Sequence, residues 1–134
     1  MSASVIYYSL SGKTKKAAEE YANAHNLPAR DVICSFNKLT AWIIGIPKSI
    51  SRKDVQVTVN TDLTIYKKFI IFMPVWAGNP AAPFNGLLGI LPPGTEIELH
   101  LTSGSGDTEK TKQATTDYII SKGFKLVGYF DIKT

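Results

Sequence analysis

The chain has 134 residues, of which 44% are hydrophobic and 19% charged, and its 15 basic residues exceed its 11 acidic residues to give a formal net charge of +4. This size and composition predict one domain that fills its own core, which excludes several domains and intrinsic disorder. We expect neither membrane nor nucleic-acid binding, since there is no long uncharged apolar run and no groove-reading or RNA-stacking motif.

The first predicted elements are a strand and a helix joined by a tight turn. Residues 4–9 form a short run of β-branched and aromatic residues, followed by the turn residues of segment 10–12. Apolar or small residues recur at helical spacing from Thr14, and Ser11 is the predicted N-cap of that helix.

The next two predicted elements are less clearly patterned. Residues 32–36 predict a second strand, and residues 39–50 weakly predict a helix interrupted by a glycine and a proline. Trp42, Ile43 and Ile44 in this segment fit either the core or a hydrophobic contact with a partner.

The most clearly buried strand comprises residues 68–75, which are apolar almost throughout, as expected where helices cover both faces of a sheet. After it, Asn79 is predicted to cap a helix with Pro80 in its first turn, running to about Leu91.

The last third of the sequence predicts a strand, a loop, a helix and a strand. These are residues 96–102, the loop 103–107 with Asp107 as the helix cap, the helix 108–122 with Gly123 at its C-cap, and residues 126–132. Five strands alternating with helices predict an α/β fold with a mostly parallel sheet and right-handed crossovers. In such folds ligands bind beyond the carboxyl ends of the strands, so the loops after the first, third and fourth strands are the candidate site.

The first of these loops has the composition of a phosphate site. The hydroxyls of Ser9, Ser11 and Thr14, the backbone N–H groups at the helix start and the charge of Lys13 are able to surround one phosphate. The alternative is a plain Ser/Gly turn with an N-cap. The segment largely fails to match a nucleoside-triphosphate loop, because Tyr7 stands where that motif requires a glycine, so a monophosphate fits better.

The other two loops complete the pattern of a ligand site. Trp76 taken alone fits the core, but beside a phosphate loop it can stack on a flat ring, and Gly78 allows the backbone to approach such a ring closely. The loop 103–107 offers small side chains and open N–H groups at the same edge. A flat polar aromatic ring with a terminal phosphate, such as flavin mononucleotide (FMN), fits all three loops.

Three segments, 5–14, 74–80 and 102–106, resemble the flavodoxin family in their order and spacing. The resemblance extends from the first strand to the fifth and implies a five-stranded parallel sheet of order 2-1-3-4-5 with helices on both faces and noncovalent FMN. By position it implies that the first loop holds the phosphate, that 74–79 border the flavin ring with Trp76 as its aromatic neighbour, and that the third loop closes the other side. The implied cofactor-binding residues are Ser9, Leu10, Ser11, Gly12, Lys13, Thr14, Pro74, Val75, Trp76, Ala77, Gly78, Asn79, Thr102, Ser103, Gly104, Ser105, Gly106 and Asp107.

The sequence also departs from the flavodoxin pattern. Lys13 stands where many flavodoxins have an asparagine, and the net positive charge differs from the acidic character usual in the family. The chain also stops at Thr134, just after the fifth strand, where the family usually continues into a closing helix. We therefore expect part of one sheet face to be covered by a second copy or by a redox partner protein.

Electron transfer between proteins is the function that this resemblance favours, with the flavin as redox centre and no catalytic side chain. The alternatives are an FMN-dependent NAD(P)H:quinone-type reductase and a binding module that has lost the cofactor. His25 and His100 are interpreted as structural or solvated residues, and the single cysteine, Cys34, as an apolar strand residue. The lone cysteine and the lack of a basic leader favour the cytoplasm, and no metal is expected.

Overall fold

In the described part of the chain, a central sheet lies between one helix on one face and two helices on the other. The computed structural model describes residues 2–34 and 55–134. Their elements are β1 (Ala3–Tyr7), α1 (Lys13–His25), β2 (Ala29–Ile33), β3 (Thr58–Val59), a 3-10 turn (Leu63–Ile65), β4 (Lys68–Trp76), β5 (Asn79–Pro80), α2 (Pro83–Ile90), β6 (Glu96–Ser103), α3 (Glu109–Ser121) and β7 (Lys125–Lys133). No helix in these two ranges is long and apolar enough to cross a membrane.

The sheet has the strand order β3-β2-β1-β4-β6-β7, with β5 paired to β4 outside this path. The five longer strands are parallel, so the predicted order 2-1-3-4-5 is confirmed. The described strands number seven rather than five, because β3 pairs antiparallel with β2 and β5 pairs antiparallel with β4. Each additional strand has only two residues, too few to show an alternating pattern in the sequence.

The larger part of the core lies between the sheet and helices α2 and α3. Alternate residues of β4 and β6 point to this face, and most of the side chains there are fully buried. The main members are Phe69, Ile71, Met73, Ile97, Leu99 and Leu101 from the sheet, and Phe84, Leu87 and Ile119 from the helices. Full burial of each such side chain contributes roughly 1.5–3 kcal/mol, so this layer dominates the stability of the fold.

The opposite face is packed against α1 through small side chains. Ala18 and Ala22 are buried against Val5, Ile70 and Phe72 of the two central strands. Of the described helices, α1 alone contributes side chains to this cluster.

Beyond α1, the same face carries a column of stacked rings. The His100 ring lies between Phe72, at a centroid distance of 4.4 Å, and Phe130, at 4.8 Å. Glu98 accepts a hydrogen bond from His100 Nε2 at 3.1 Å and contacts Lys68 Nζ at 3.3 Å. Burial lowers the pKa of His100 against the opposing effect of Glu98, so burial favours the neutral form of the ring.

Several predicted boundaries are wrong by a few residues. The second strand spans Ala29–Ile33 rather than residues 32–36, and β1 ends two residues before Ser9. Helix α3 starts one residue later than predicted, with Thr108 at its N-cap, and it ends before Lys122, its C-cap, with Gly123 following at a φ of 92°. The weak helix over 39–50, with Trp42, Ile43 and Ile44, lies outside the described residues.

The start of α2 differs most from the prediction. Asn79 and Pro80 form β5, opposite Trp76 and Val75, and the helix starts only at Pro83 with Ala82 as its N-cap. A proline fits β5 because this short strand pairs on one side only, and the missing N–H costs no ladder hydrogen bond there. Proline does occupy the first turn of the helix, but it is Pro83 rather than Pro80.

Candidate functional site

The three predicted loops lie at one edge of the sheet, beyond the carboxyl ends of neighbouring strands. Parallel pairing aligns Tyr7 with Phe72 and Pro74 with Thr102, so β1, β4 and β6 end at nearby heights. The loop after β1 (8–12), the turn after β4 (77–78) and the loop after β6 (104–108) therefore share this edge. We call these three segments the first loop, the second loop and the third loop.

The first loop ends in a helix start without a side-chain cap. Gly12, not Ser11, is the N-cap of α1, and its φ of 97° lies in the left-handed region that favours glycine. The Ser9 hydroxyl accepts a hydrogen bond from the Gly12 N–H at 2.9 Å, which closes the turn. Ser11, Gly12 and Lys13 are exposed, so the first-turn N–H groups of α1 and the positive end of its dipole face an open surface.

Thr14 differs from its neighbours because its side chain is buried. Its hydroxyl lies 2.7 Å from the hydroxyl of Thr102 at the end of β6. The sequence predicts that both residues contact the cofactor, and the structure brings them together. The hydrogen bond joins the helix start after the first loop to the strand that precedes the third loop.

The second loop is a two-residue hairpin turn between β4 and β5. Ala77 has a φ of 51° and Gly78 a φ of 80°, the pair of positive values that a type I′ turn requires. Ala77 and Gly78 are exposed and Trp76 is half-buried, whereas Asn79 is buried and donates its side-chain amide to the Ala77 carbonyl at 3.2 Å. The turn is therefore exposed to solvent, while the buried Asn79 beside it holds its backbone through a hydrogen bond.

One residue that sequence reasoning missed also holds this turn. Thr111, in the first turn of α3, places its hydroxyl 2.5 Å from the Gly78 carbonyl oxygen and 3.2 Å from the Thr108 carbonyl. No local pattern could have indicated this contact, since the two residues are 33 positions apart in the chain.

Beneath the second loop, Tyr8 packs against Trp76. Their ring centroids are 6.0 Å apart at an interplanar angle of 83°, an edge-to-face arrangement. The Tyr8 hydroxyl is buried, and within 2–34 and 55–134 it has no hydrogen-bond partner. Burial, with a smaller contribution from Cys34, raises the pKa of Tyr8 to about 12, so the phenol stays protonated.

The third loop is closed by Asp107 and by Ser103, the last residue of β6. Ser103 accepts a hydrogen bond from the Gly106 N–H at 2.9 Å, and Asp107 accepts one from the Glu109 N–H at 2.9 Å. The predicted helix cap at Asp107 is therefore partly right, because its side chain caps α3 although Thr108 is the N-cap residue. Gly106 has a φ of 66°, and a Cβ there would lie 2.8 Å from Lys133 Cβ, so only glycine fits.

A polar cluster that sequence reasoning missed anchors the third loop to β7. The Thr108 hydroxyl contacts the Tyr129 hydroxyl and donates to Asp131 Oδ1 at 2.7 Å, while the Thr108 N–H donates to Oδ2 at 3.1 Å. The Lys112 ammonium lies 5.2 Å from the centre of the Tyr129 ring. The start of α3, which also carries Thr111, is thereby fixed to the sheet edge.

The predicted residues divide into those that face the open edge and those that support it. Leu10, Val75 and Trp76 pack on the core cluster, and Pro74 accepts a hydrogen bond from the Ala81 N–H at 2.9 Å through its carbonyl. The exposed members are Ser11, Gly12, Lys13, Ala77, Gly78, Gly104, Ser105 and Asp107. No group of histidine, cysteine and acidic side chains in the described ranges is arranged to hold a metal ion.

Comparison with solved structures gives the same fold, although no family model and no curated protein matches the chain. A flavoprotein of Lactobacillus acidophilus NCFM, crystallised in complex with FMN, is 25% identical and has a TM-score of 0.76, with 96% of this chain and 91% of that chain covered. Two proteins from Bacteroides eggerthii and Bacteroides uniformis, provisionally described as flavoproteins, are 16% and 20% identical with TM-scores of 0.75 and 0.73, each covering 96% of this chain and 87% of theirs. The chain has the flavodoxin-like fold, and its resemblance to flavoproteins extends over nearly all of its length.

Proposed function

We propose that this protein binds FMN noncovalently at the edge formed by the three loops and serves as an electron carrier. The observation that carries the proposal is the open, uncapped N-terminus of α1 beside an exposed type I′ turn that follows an aromatic residue. The similarity to a flavoprotein crystallised with FMN supports the choice of ligand.

The residues of the first loop fit a phosphate monoester. The first-turn N–H groups of α1 point out of a helix whose N-cap, Gly12, contributes no side-chain hydrogen bond, and the Lys13 side chain beside them is exposed. Such an end binds anions through its N–H groups and its dipole. The Ser11 hydroxyl is exposed next to them and can donate one more hydrogen bond.

The second and third loops fit the flavin ring. Trp76 is half-buried, packs edge-to-face against Tyr8 and directly precedes the exposed turn, so it is the candidate aromatic neighbour of the ring. The turn after it places the peptide groups of Ala77 and Gly78 at the exposed edge, where they can hydrogen-bond the polar rim of a ring.

When bound, FMN supplies reversible uptake and release of electrons. The chain's contribution is to bind the phosphate, to orient the ring and to set its electrostatic surroundings. Because Ala77 and Gly78 are exposed, a ring against this turn keeps an edge within reach of a protein partner, which favours electron transfer. Lys13 adds positive charge near the site, and by Coulomb's law positive charge favours the more negative reduced ring.

Anaerobic reduction distinguishes electron transfer from the reductase alternative. The FMN-loaded protein is mixed with NADH or NADPH while the visible absorbance of oxidised flavin is followed. A second sample is reduced with dithionite, freed of excess reductant and mixed with oxidised cytochrome c. An electron carrier loses little flavin absorbance with either nicotinamide but reduces the cytochrome. Rapid bleaching by NAD(P)H, with turnover after a quinone is added, would instead establish the reductase.

A further inference from the structure

We propose that Thr111 is a positioning residue that holds the Ala77–Gly78 turn in the conformation that receives the flavin ring, an inference that rests on the proposed function for its ligand. Thr111 belongs to α3 and is not among the residues that the resemblance implies for the cofactor. Its hydroxyl lies 2.5 Å from the carbonyl oxygen of Gly78.

The turn needs such support because one of its two residues is poorly suited to it. Alanine in the left-handed region costs roughly 1–2 kcal/mol relative to a right-handed conformation, since its Cβ crowds the following carbonyl. Ala77 nevertheless has a φ of 51°. Interactions that exist only in this conformation must offset that cost.

Two side-chain hydrogen bonds to the turn supply this offset. The Asn79 amide donates to the carbonyl of Ala77 at 3.2 Å, and the Thr111 hydroxyl donates to the carbonyl of Gly78. Each bond fixes one peptide group of the turn, so together they determine how the dipoles at the exposed edge point. Asn79 is local to the turn, whereas Thr111 reaches it from a separate helix.

The helix that carries Thr111 is itself held in place. Thr108, one turn earlier, is bound to Asp131 of β7 through its backbone N–H and its hydroxyl, and Thr111 donates to the carbonyl of Thr108 from its N–H at 3.1 Å. A continuous set of hydrogen bonds therefore joins Gly78 to β7. Through Thr111 the exposed turn is therefore attached to the sheet and restrained by it.

The test compares Thr111→Val, which keeps the shape and removes the hydroxyl, with Thr111→Ser, which keeps the hydroxyl. Thr116→Val is the matched control, since Thr116 lies on the same helix and its hydroxyl donates to the Lys112 carbonyl within that helix at 2.8 Å. Two quantities are measured: amide hydrogen exchange at residues 77–79 in the FMN-free protein, and the dissociation constant for FMN.

We expect Thr111→Val to speed exchange in the turn and to weaken FMN binding, each by about fivefold, the effect of losing one hydrogen bond. Thr111→Ser and Thr116→Val should match the wild type in both measurements. Unchanged exchange in Thr111→Val would overturn the positioning role. Faster exchange with unchanged FMN affinity would show that the turn is held but does not serve the ligand. Failure of the wild type to bind FMN would refute the proposed function and the ligand role together, while the exchange data would still report on the turn.

Discussion

The hydroxyl oxygens of Thr14 and Thr102 lie 2.7 Å apart in the interior, where they join the start of α1 to the end of β6. One of the two hydroxyls donates in this contact and the other accepts. The pair therefore ties the start of α1, which follows the first loop, to the strand that precedes the third loop.

The hydrogen bond between these two threonines should be measurable as a coupling between the effects of their substitution on the free energy of unfolding. Thr102→Val leaves the buried hydroxyl of Thr14 without this partner, at an expected cost of about 1–3 kcal/mol in the free energy of unfolding. Thr14→Val and the double variant complete a double-mutant cycle, measured by urea denaturation. We expect a coupling of about 1 kcal/mol. Strict additivity of the two single changes would show that the contact contributes nothing to stability.

A negative charge introduced at the first loop should weaken the binding of a phosphate group there. Ser11→Asp places a carboxylate next to the uncapped N-terminus of α1, and we expect FMN to bind at least about tenfold more weakly, or ~1.4 kcal/mol. Asn23→Asp is the control, because Asn23 is an exposed residue near the opposite end of the same helix and its substitution changes the net charge equally. Equal FMN affinities for the two variants, measured by fluorescence titration, would mean that the phosphate lies elsewhere.

The fluorescence of Trp76 should show directly whether the flavin ring binds beside it. In a Trp42→Phe background, Trp76 is the remaining tryptophan of the chain, and stacking of the flavin should quench its fluorescence. Trp76→Ala should weaken FMN binding by about two- to tenfold, the range expected for one aromatic pair. Fluorescence that stays constant during FMN binding would identify Trp76 as a core residue that does not touch the ring.

His100 should make stability depend on pH. Its pKa in the folded protein is lowered from 6.5, chiefly by burial and to a lesser extent by His25 and Lys68, although Glu98 opposes the shift. The unfolded chain therefore binds more protons between the two pKa values. The stability that neutral His100 provides is present above about pH 7 and is lost as the pH falls through 6.5 toward the folded pKa.

The matching experiment measures urea denaturation from about pH 7.5 to about pH 5. His100→Gln should flatten the loss of stability on acidification, whereas His25→Gln, a change at an exposed residue of α1, should retain most of it. An unchanged slope in His100→Gln would assign the pH dependence to another group.

Substitution of two glycines of α2 by alanine should change the stability of the protein in different ways. A Cβ on Gly86 would lie 1.7 Å from the Val55 carbonyl oxygen, so the backbone of residue 55 would have to move. We expect Gly86→Ala to cost about 2 kcal/mol or more of stability through this overpacking. No atom of the described residues lies within 4 Å of a Cβ on Gly89, so Gly89→Ala should be neutral or stabilising. Thermal denaturation of both variants tests this, and equal melting temperatures would contradict the close approach.

The parts of the fold that sequence could predict are those with a strong local pattern. The apolar run of β4 and the alternation in β6 identified the central strands, and strand-turn-helix order at Ser9 to Thr14 located the first loop. The hairpin at Ala77 was missed, because alanine rarely has a positive φ and Asn79 followed by Pro80 is equally typical of a helix start. Thr111 was missed because its partner is distant in the chain.

The most direct test of the account is the visible absorption spectrum of the purified protein after addition of FMN and exhaustive dialysis. Retention of an oxidised-flavin spectrum at about one FMN per chain, with loss of the flavin in Ser11→Asp and not in Asn23→Asp, is the result that the account predicts. A colourless protein after dialysis, with no tryptophan quenching at any FMN concentration tested, would contradict it and leave the three loops as structural turns of a flavodoxin-like scaffold.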